Sequence, residues 1–253
     1  MQVVVLDSAA EVGEYAAGVI LRGVSHGTVK TLGVATGSSP LAIYKALERH
    51  RSPELSALSA FALDEYVGLA PDHPESYAAV IRREVTDRLG LDPGRVHVPD
   101  GGAADLAAAC LDYEAAIKAA GGIDLQILGI GRNGHIGFNE PTSSLASRTR
   151  VKTLMSATRR DNARFFADVT QVPSLCLTQG LGTIMEARTV LLVANGKAKA
   201  QAVARAVEGP LASMCPASVL QMHPHATFVL DREAAADLAL KDYYRDVQDQ
   251  MPR

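Results

Sequence analysis

Short apolar runs alternate with amphipathic segments along most of the chain, and this alternation restricts the fold more than any other feature. The apolar runs predict strands at residues 3–6, 29–35, 60–63, 125–130, 189–194 and 226–230. The amphipathic segments predict helices at residues 9–24, 41–49, 76–89, 105–120, 158–166 and 198–207, with a polar helical tail after the last strand. Such alternation is typical of a mostly parallel sheet with helices on both faces. We therefore expect a Rossmann-like, doubly wound α/β fold.

The composition agrees with a single domain spanning residues 1–253. The 253 residues are 47% hydrophobic and 21% charged, as in ordinary globular proteins, and no linker, repeat or low-complexity segment interrupts them. The formal net charge of -3 argues against nucleic-acid binding, which usually requires a basic excess. Three widely spaced cysteines outside any C-x-x-C pattern favour a reduced, cytoplasmic protein. Neither a signal peptide nor a membrane span is expected, since no apolar run approaches ~20 residues.

A glycine-rich run, LGIGRNGHIGFNEP at residues 128–141, ends the fourth predicted strand and continues beyond it. Its glycines allow sharp turns and a close approach of the backbone to a ligand. His135 has a side chain that ionises near neutral pH, and Glu140 could orient the imidazole or exchange protons with it. In an open α/β sheet, ligands bind in the crevice beyond the strand ends. The run predicts a catalytic loop, and a plain strand-to-helix connection with a solvated histidine is the alternative.

The turn LGVATGSSP, which follows the second predicted strand, is a candidate phosphate site. Thr36 and Gly37 open the turn. Ser38 or Ser39 is expected to cap the following helix, whose first position suits Pro40. Free N–H groups at the positive end of such a helix bind phosphate well. The turn lacks a complete nucleotide-binding signature, so it predicts either a phosphate site or an ordinary helix cap.

Two acidic residues, Asp64 and Glu65, follow the third predicted strand in the segment FALDEYVG. Neighbouring side chains on extended backbone face opposite ways, so only one of the two carboxylates can point into a cleft. A carboxylate at the end of a strand in such a sheet is well placed for base catalysis. A solvated pair of surface acids is the alternative.

The segment NGKAK leads from the strand at residues 189–194 into a helix. A cation at the start of a helix opposes the helix dipole, and a bound anion would relieve this misfit. Lys199 is therefore a candidate phosphate ligand, and Arg164 is a candidate second cation. Solvated positions on helix surfaces are the alternative for both side chains.

Three motifs taken together resemble the glucosamine-6-phosphate deaminase family. They are DEYVGL at residues 64–69, GHIGFNEP at residues 134–141 and SLASRTR at residues 144–150. The resemblance extends from the turn at residues 36–40 to residues 221–224, which is most of the chain. It implies conversion of glucosamine 6-phosphate to fructose 6-phosphate and ammonia in amino-sugar catabolism, without a metal or an organic cofactor.

The resemblance also implies roles for individual residues. Asp64 matches the proton-transferring base, and His135 with Glu140 matches the ring-opening group. The phosphate-binding positions are matched by Thr36, Gly37, Ser38, Ser39, Arg164 and Lys199. These residue types suit the chemistry, because a histidine can exchange protons with the sugar ring and one carboxylate can move a proton between adjacent carbons.

Asn133 departs from the pattern of the family. Many relatives carry an aspartate at this position, in a cluster with the histidine and the glutamate. Asparagine cannot accept a proton or raise the pKa of an imidazole as a carboxylate would. We therefore expect Asn133 to act as an orienting group and the acid–base work to depend more on Glu140.

Three other activities remain as alternatives. A 6-phosphogluconolactonase shares the fold and the Gly-His loop, but typically lacks the glutamate that stands here at position 140. A sugar isomerase or epimerase is the second alternative. A non-catalytic sugar-phosphate sensor is the third, and the intact set of Asp64, His135 and Glu140 argues against it.

Regulation and assembly are further expectations that come from the resemblance. Oligomeric members of the family bind N-acetylglucosamine 6-phosphate at a subunit interface, and Ser143, Arg150 and Lys152 match positions used there. The alternative is an ordinary solvated strand face. The tail of this chain is shorter than in regulated relatives, which weakens the expectation of a homo-oligomer with this regulatory site.

The pair His223 and His225 has a spacing that metals can use on a strand. Pro224 stands between the two histidines, and no cysteine or carboxylate lies close by in the sequence. These features favour a structural role, and we expect no metal site.

Overall fold

A parallel sheet of seven strands forms the centre of the protein. The computed structural model describes residues 1–250, so the last three residues of the predicted domain lie outside the described part. The strands are β1 (Gln2–Leu6), β2 (Thr31–Val34), β3 (Ser59–Ala62), β4 (Asp64–Tyr66), β5 (Val96–His97), β6 (Leu125–Leu128), β7 (Arg150–Thr153), β8 (Leu175–Thr178), β9 (Thr189–Ala194) and β10 (Ala226–Asp231). The central sheet has the order β1-β10-β9-β6-β2-β3-β5, and all its pairings are parallel.

Helices lie in the connections between the strands and after the last strand. They are α1 (Ala9–Ser25), α2 (Ser38–Glu48), α3 (Pro53–Ser56), α4 (Tyr77–Ile81), α5 (Asp87–Leu89), α6 (Leu106–Ala119), α7 (Ser156–Asn162), α8 (Leu181–Met185), α9 (Ala200–Val207) and α10 (Lys241–Gln250). A π-helical turn, Arg82–Thr86, joins α4 to α5, so the helix predicted at residues 76–89 has an irregular centre. Within residues 1–250, no helix is long and apolar enough to cross a membrane.

Both faces of the central sheet are covered. All four residues of β2 and all four residues of β6 are buried. Since successive side chains on a strand point to opposite faces, water reaches neither face at these strands. The predicted α/β fold, a mostly parallel sheet with helices on both sides, is confirmed.

The strand order reverses at β2. Strands β3 and β5 extend the sheet on one side of β2, and β6, β9, β10 and β1 extend it on the other. A crevice opens at such a reversal, at the carboxyl ends of the strands. The close pairing of β2 with β6 depends on Gly33, because a Cβ atom there would lie 2.1 Å from Oε1 of Gln126. The loops that follow β2 and β6 therefore border the same crevice.

A second, antiparallel sheet, β4-β8-β7, is not predicted by the sequence pattern. Strand β4 follows β3 after the single residue Leu63, and Asp64, Glu65 and Tyr66 in it are all buried. Acidic residues are rare in strands, so local propensity gives no signal for β4. Tyr66 packs with Phe138 in a small apolar core of its own. Tertiary packing, and not local pattern, decides this sheet.

Candidate active site

A cleft of about 360 Å³ lies beyond the carboxyl ends of β2, β3 and β6. The predicted site residues that line it are Thr36, Gly37, Ser38, Ser39, Asp64, His135, Arg164 and Lys199. Two further predicted residues, Asn133 and Glu140, contact each other and Glu140 approaches the ring of His135. The fold therefore brings the predicted catalytic and phosphate-binding residues to one place.

The turn after β2 forms one wall of the cleft. Helix α2 begins at Ser38, and Gly37 is its N-cap residue with a φ of 103°, a conformation that favours glycine. The prediction that Ser38 or Ser39 caps the helix and Pro40 takes its first position is wrong, because Gly37 carries the cap and Pro40 comes third. No side chain caps this end of α2. The first N–H groups of α2 therefore remain available to an anion in the cleft.

Lys199 lies on the wall of the cleft, at the end of the 3-10 turn Lys197–Lys199. Burial lowers the pKa of its ammonium group, nearby Asp161 opposes the shift, and the positive charges of Arg164 and Arg132 add to it. Lys197 is exposed and does not line the cleft. Of the two lysines in the motif, Lys199 is thus the one placed to meet an anion.

Arg164 reaches the cleft from the segment that follows α7. It lies in the 3-10 turn Ala163–Phe165, with its guanidinium 4.7 Å from the centroid of the Phe165 ring. The predicted helix at residues 158–166 thus ends earlier than expected, and the 3-10 turn directs Arg164 to the cleft. The nearby Arg132 was not among the predicted cations, since a single arginine in a glycine-rich loop carries no specific signal.

Asp64 is the buried carboxylate of the cleft. Its residue is 5% exposed and pairs with Thr178 across β4 and β8. Burial raises the pKa of the Asp64 carboxyl well above its ordinary value, and the negative charge of Glu65 adds to the shift. A carboxyl with a raised pKa can both accept and return a proton at moderate pH.

Glu65 turns away from the cleft, as the extended backbone predicts. Its carboxylate accepts hydrogen bonds from the backbone N–H groups of Tyr66, Tyr77 and Ala78, at 2.7, 2.9 and 2.7 Å. Two of these N–H groups belong to the first turn of α4, where a negative charge is favourable. Glu65 thus fixes the start of α4 and leaves Asp64 as the carboxylate that faces the cleft.

His135, Asn133 and Glu140 form a polar cluster in the loop after β6. The Nδ1 atom of His135 lies 3.6 Å from Oε2 of Glu140. The Asn133 side chain donates to the same carboxylate oxygen at 2.8 Å, and its Oδ1 accepts from the backbone N–H of His135 at 3.2 Å. Asn133 therefore has the geometry of an orienting group between the histidine and the glutamate.

Glu140 is held as a carboxylate. It is 2% exposed, and its Oε1 accepts from the backbone N–H of Met155 at 3.1 Å. Burial by itself would raise its pKa, but His135, the Thr158 hydroxyl and the Asn133 amide outweigh burial and hold the pKa of Glu140 at about 2. The cluster thus provides a permanent negative charge beside the imidazole of His135.

Tyr77 also lines the cleft, and the sequence alone gave no signal for it. Burial raises the pKa of its hydroxyl well above the ordinary value. The hydroxyl lies 3.5 Å from that of Tyr66, which accepts from the side-chain amide of Asn162 at 2.9 Å. The first residue of α4 is thus linked through Tyr66 to the end of α7, beside the segment that carries Arg164.

Two of the three candidate regulatory residues, Ser143 and Arg150, contact the loop of Glu140. Ser143 is buried, and its hydroxyl donates to the backbone carbonyl of Glu140 at 2.7 Å. Arg150 and Lys152 are partly buried on the same face of β7. The geometry thus connects Ser143 directly to the predicted catalytic loop.

The two histidines of the H-x-H motif have structural partners. His223 is buried, and its Nε2 lies 2.8 Å from the backbone oxygen of Ala187. Its Nδ1 accepts the backbone N–H of His225 at 3.1 Å. No group of three or more His, Cys, Asp or Glu side chains suited to a metal ion occurs within residues 1–250.

Comparison with known proteins decides the family. The model of the family described as glucosamine-6-phosphate isomerases/6-phosphogluconolactonase matches residues 6–229. The chain belongs to this family. Its predicted resemblance to the deaminase branch is confirmed by a relative at 58% identity over 255 residues, the glucosamine-6-phosphate deaminase of Arthrobacter sp. strain FB24, with 100% of this chain and 98% of that protein covered.

Solved structures separate the two branches of the isomerase/lactonase family. A monomeric glucosamine-6-phosphate deaminase is 39% identical to this chain, with a TM-score of 0.90 over 94% of this chain and 100% of that one. A 6-phosphogluconolactonase from Trypanosoma cruzi is 21% identical, with a TM-score of 0.76 over 94% of this chain and 97% of that one. The lactonase shows a shared fold alone, and the deaminase is similar in both sequence and structure.

Proposed function

We propose that this protein is a glucosamine-6-phosphate deaminase, which converts glucosamine 6-phosphate and water to fructose 6-phosphate and ammonia in amino-sugar catabolism. One observation carries the proposal: a single cleft is lined at once by the acid–base residues Asp64 and His135 and by the cations Arg164 and Lys199. The full-length similarity to deaminases supports the same activity. We also propose that residues 1–253 form a single domain that carries out this reaction.

The phosphate of the substrate binds between the start of α2 and the two cations. The uncapped N–H groups that follow Gly37 donate to the phosphate oxygens, and Thr36 and Ser39 line the cleft beside them. Lys199 and Arg164, which line the same cleft, supply positive charge. A bound phosphate favours the charged form of Lys199, which burial otherwise disfavours.

His135 opens the sugar ring. Ring opening removes the proton of the anomeric hydroxyl and adds a proton to the ring oxygen, so one group must first accept and then donate. The imidazole does both, and the carboxylate of Glu140 stabilises its protonated form. Asn133 holds that carboxylate in place through its 2.8 Å hydrogen bond.

Asp64 moves the proton between the two carbons that react. It takes the proton from C2 of the open-chain aldehyde while a proton from the solvent is added to the C1 oxygen, which gives an enolamine. It then returns the proton to C1, so C2 becomes an imine carbon. Water adds to C2 and ammonia leaves, which gives the ketone. Since Asp64 faces the cleft and Glu65 does not, one carboxylate performs both transfers.

Incubation of the purified protein with glucosamine 6-phosphate, without added metal or nucleotide, tests the proposal. Equal release of ammonia and fructose 6-phosphate is the expected result. Hydrolysis of 6-phosphogluconolactone without ammonia release would move the protein to the lactonase branch. Rearrangement of the sugar phosphate without loss of ammonia would indicate an isomerase or epimerase, and binding without turnover would indicate a sensor.

Replacement of the cleft lysine is expected to weaken substrate binding. Lys199→Ala should raise KM by about 10- to 100-fold, because a charge-assisted hydrogen bond to phosphate contributes roughly 1.5–3 kcal/mol. The change in kcat should be smaller, since the phosphate is remote from the reacting carbons. Lys197→Ala is the matched control, because this neighbouring lysine is exposed. Equal steady-state parameters for the two variants would contradict the phosphate role of Lys199.

Replacement of the orienting amide is expected to change the pH dependence. Asn133→Asp should keep most of the activity, since the new carboxylate still accepts from the His135 backbone. It would no longer donate to Glu140, and its negative charge would raise the pKa of Glu140 from about 2. The added negative charge also lies beside His135, so the pH optimum of kcat should move to higher pH. A profile identical to that of the wild type would contradict the orienting role.

Regulation, assembly and location complete the proposal. N-acetylglucosamine 6-phosphate binds beside Ser143, Arg150 and Lys152, and sigmoidal kinetics that the acetylated sugar makes hyperbolic would support this site. One relative is described as monomeric, so light scattering with and without this ligand tests whether a homo-oligomer forms.

The proposed location is the cytoplasm. The three free cysteines, Cys110, Cys176 and Cys215, are buried and suit a reducing cytoplasm.

A further inference from the structure

Asn139 lies between His135 and Glu140, the proposed ring-opening pair, in the sequence. Its amide side chain is 0% exposed. Its Nδ2 donates to the backbone oxygen of Ile136 at 3.0 Å and to that of Gln179 at 2.8 Å. Its Oδ1 accepts from Nη1 of Arg150 at 2.9 Å. The side chain thus uses both donors and its acceptor inside the protein.

Arg150 determines which way the Asn139 amide faces. A guanidinium group only donates hydrogen bonds, so the atom of Asn139 that meets it must be the oxygen. The amide nitrogen is then directed to the carbonyl oxygens of Ile136 and Gln179, which only accept. The orientation of Asn139 therefore follows from the chemistry of its three partners.

The same amide joins the catalytic loop to the strand that leads to Asp64. Gln179, which accepts from Asn139, is itself fully buried. Its backbone N–H donates to the carbonyl of Leu63 at 2.8 Å, and its side-chain Nε2 donates to the carbonyl of Ala62 at 3.0 Å. These carbonyls directly precede Asp64 in the chain. Two hydrogen-bonded steps thus connect the residue before Glu140 with the residue before Asp64.

We propose that Asn139 is a positioning residue for the reaction. It fixes the position of Glu140, and with it that of the Glu140–His135 pair, relative to Asp64. Arg150 fixes the orientation of the Asn139 amide. The inference rests on the proposed deaminase function. Asn139 does not line the cleft, so it acts through its neighbours and not on the substrate. A shift of about 1 Å in a catalytic group lowers a rate by roughly 10²-fold, so a small displacement of Glu140 has a large effect.

The test compares Asn139→Ala and Asn139→Asp with the wild type. Alanine removes the three hydrogen bonds, and aspartate keeps the one from Arg150 but places an acceptor against the carbonyls of Ile136 and Gln179. Both variants should lower kcat by about 10- to 100-fold and change KM by less than about 3-fold, because the phosphate site is intact. Inorganic phosphate should bind both variants with the affinity of the wild type.

The pH profile separates positioning from a loss of structure. The groups that face Glu140 and titrate are His135 on the same loop and Cys176 on β8. If Glu140 moves away from His135, Thr158 and Asn133, the imidazole loses the negative charge beside it, so the pH optimum of kcat should move to lower pH. Arg150→Gln should give the same shift with a smaller loss of kcat. This variant tests the proposal if the Asn139 variants do not fold.

Gln221→Ala is the matched control. The Gln221 amide also donates to two backbone carbonyls, those of Ala206 and Gly209, both at 2.9 Å, but it lies outside the cleft. It should lower Tm without a change in kcat or in the pH profile.

An active wild type whose Asn139 and Arg150 variants lose stability but keep kcat and the pH profile would overturn the positioning role alone. A rise in KM with an unchanged kcat would also overturn it. A wild type without deaminase activity would overturn the proposed function, and the inference with it.

Discussion

Asp64→Asn is expected to lower kcat by ~10²-fold or more, the usual scale for a positioned acid or base. Asparagine preserves the shape of the side chain but cannot take the proton from C2. KM should change little, because the cations that hold the phosphate are untouched. In the wild type, activity should fall as the pH drops through the raised pKa of Asp64, because the base becomes protonated. Release of ammonia, followed across pH, measures both effects.

The same substitution should make the folded protein more stable at neutral pH. Burial raises the pKa of Asp64 in the folded state above its unfolded value, so the folded state binds the proton more tightly. Stability is therefore lost as the pH rises from the unfolded pKa through the folded pKa, and the loss persists above it. Asparagine carries no charge and avoids this loss, so Tm at pH 7 should rise.

Asp124→Asn provides the control for a buried aspartate outside the cleft. Asp124 is 6% exposed and accepts from the backbone N–H groups of Lys30 and Thr31 at 2.8 and 2.9 Å. Its replacement should lower Tm and leave kcat unchanged, which is the reverse of the pattern for Asp64. Full activity of Asp64→Asn would remove Asp64 from the mechanism.

His135→Gln is also expected to have a large effect, a loss of about 10²- to 10⁴-fold in kcat, the range typical of general acid–base catalysis. Glutamine can hydrogen bond to the sugar but cannot exchange a proton with it near neutral pH. Ring opening should then limit the rate. The effect of deuterium at C2 on kcat should consequently fall towards unity.

The isotope effect distinguishes the two catalytic residues. In Asp64→Asn the transfer of the C2 proton limits the rate, so the deuterium effect should be retained or increased. His225→Gln is the control for histidine replacement, because His225 is exposed and lies outside the cleft. A full isotope effect in His135→Gln would place His135 outside the ring-opening step.

Several parts of the site could be predicted because they depend on local rules. The alternation of strands and helices set the class of fold, and ligands in such a sheet bind beyond the strand ends, where the loops of Thr36 and His135 do line the cleft. The two-residue repeat of a strand separated Asp64 from Glu65. A lysine at the start of a helix opposes the helix dipole, so Lys199 was predicted to bind an anion, and Lys199 does line the cleft.

Other parts depended on contacts between distant segments. The antiparallel sheet escaped prediction because β4 is formed from acidic residues that become strand only by pairing with β8. The serine caps were predicted wrongly, since the positive φ of Gly37 ends the turn one residue earlier than the serines suggest. Arg132 adds to the positive charge around Lys199, and this contribution has no local signature in the sequence either.

The class of fold, the family and the residue types that the chemistry requires can be inferred from the order of the amino acids, because periodicity, turn residues and motifs are local properties of a chain. How those residues are held depends on contacts between segments that are distant in the chain. The hydrogen bonds that surround Glu140, and those through Asn139 and Gln179 towards Asp64, join residues that are up to 117 positions apart. Such distances reflect the burial of polar groups, which must find partners wherever the fold places them.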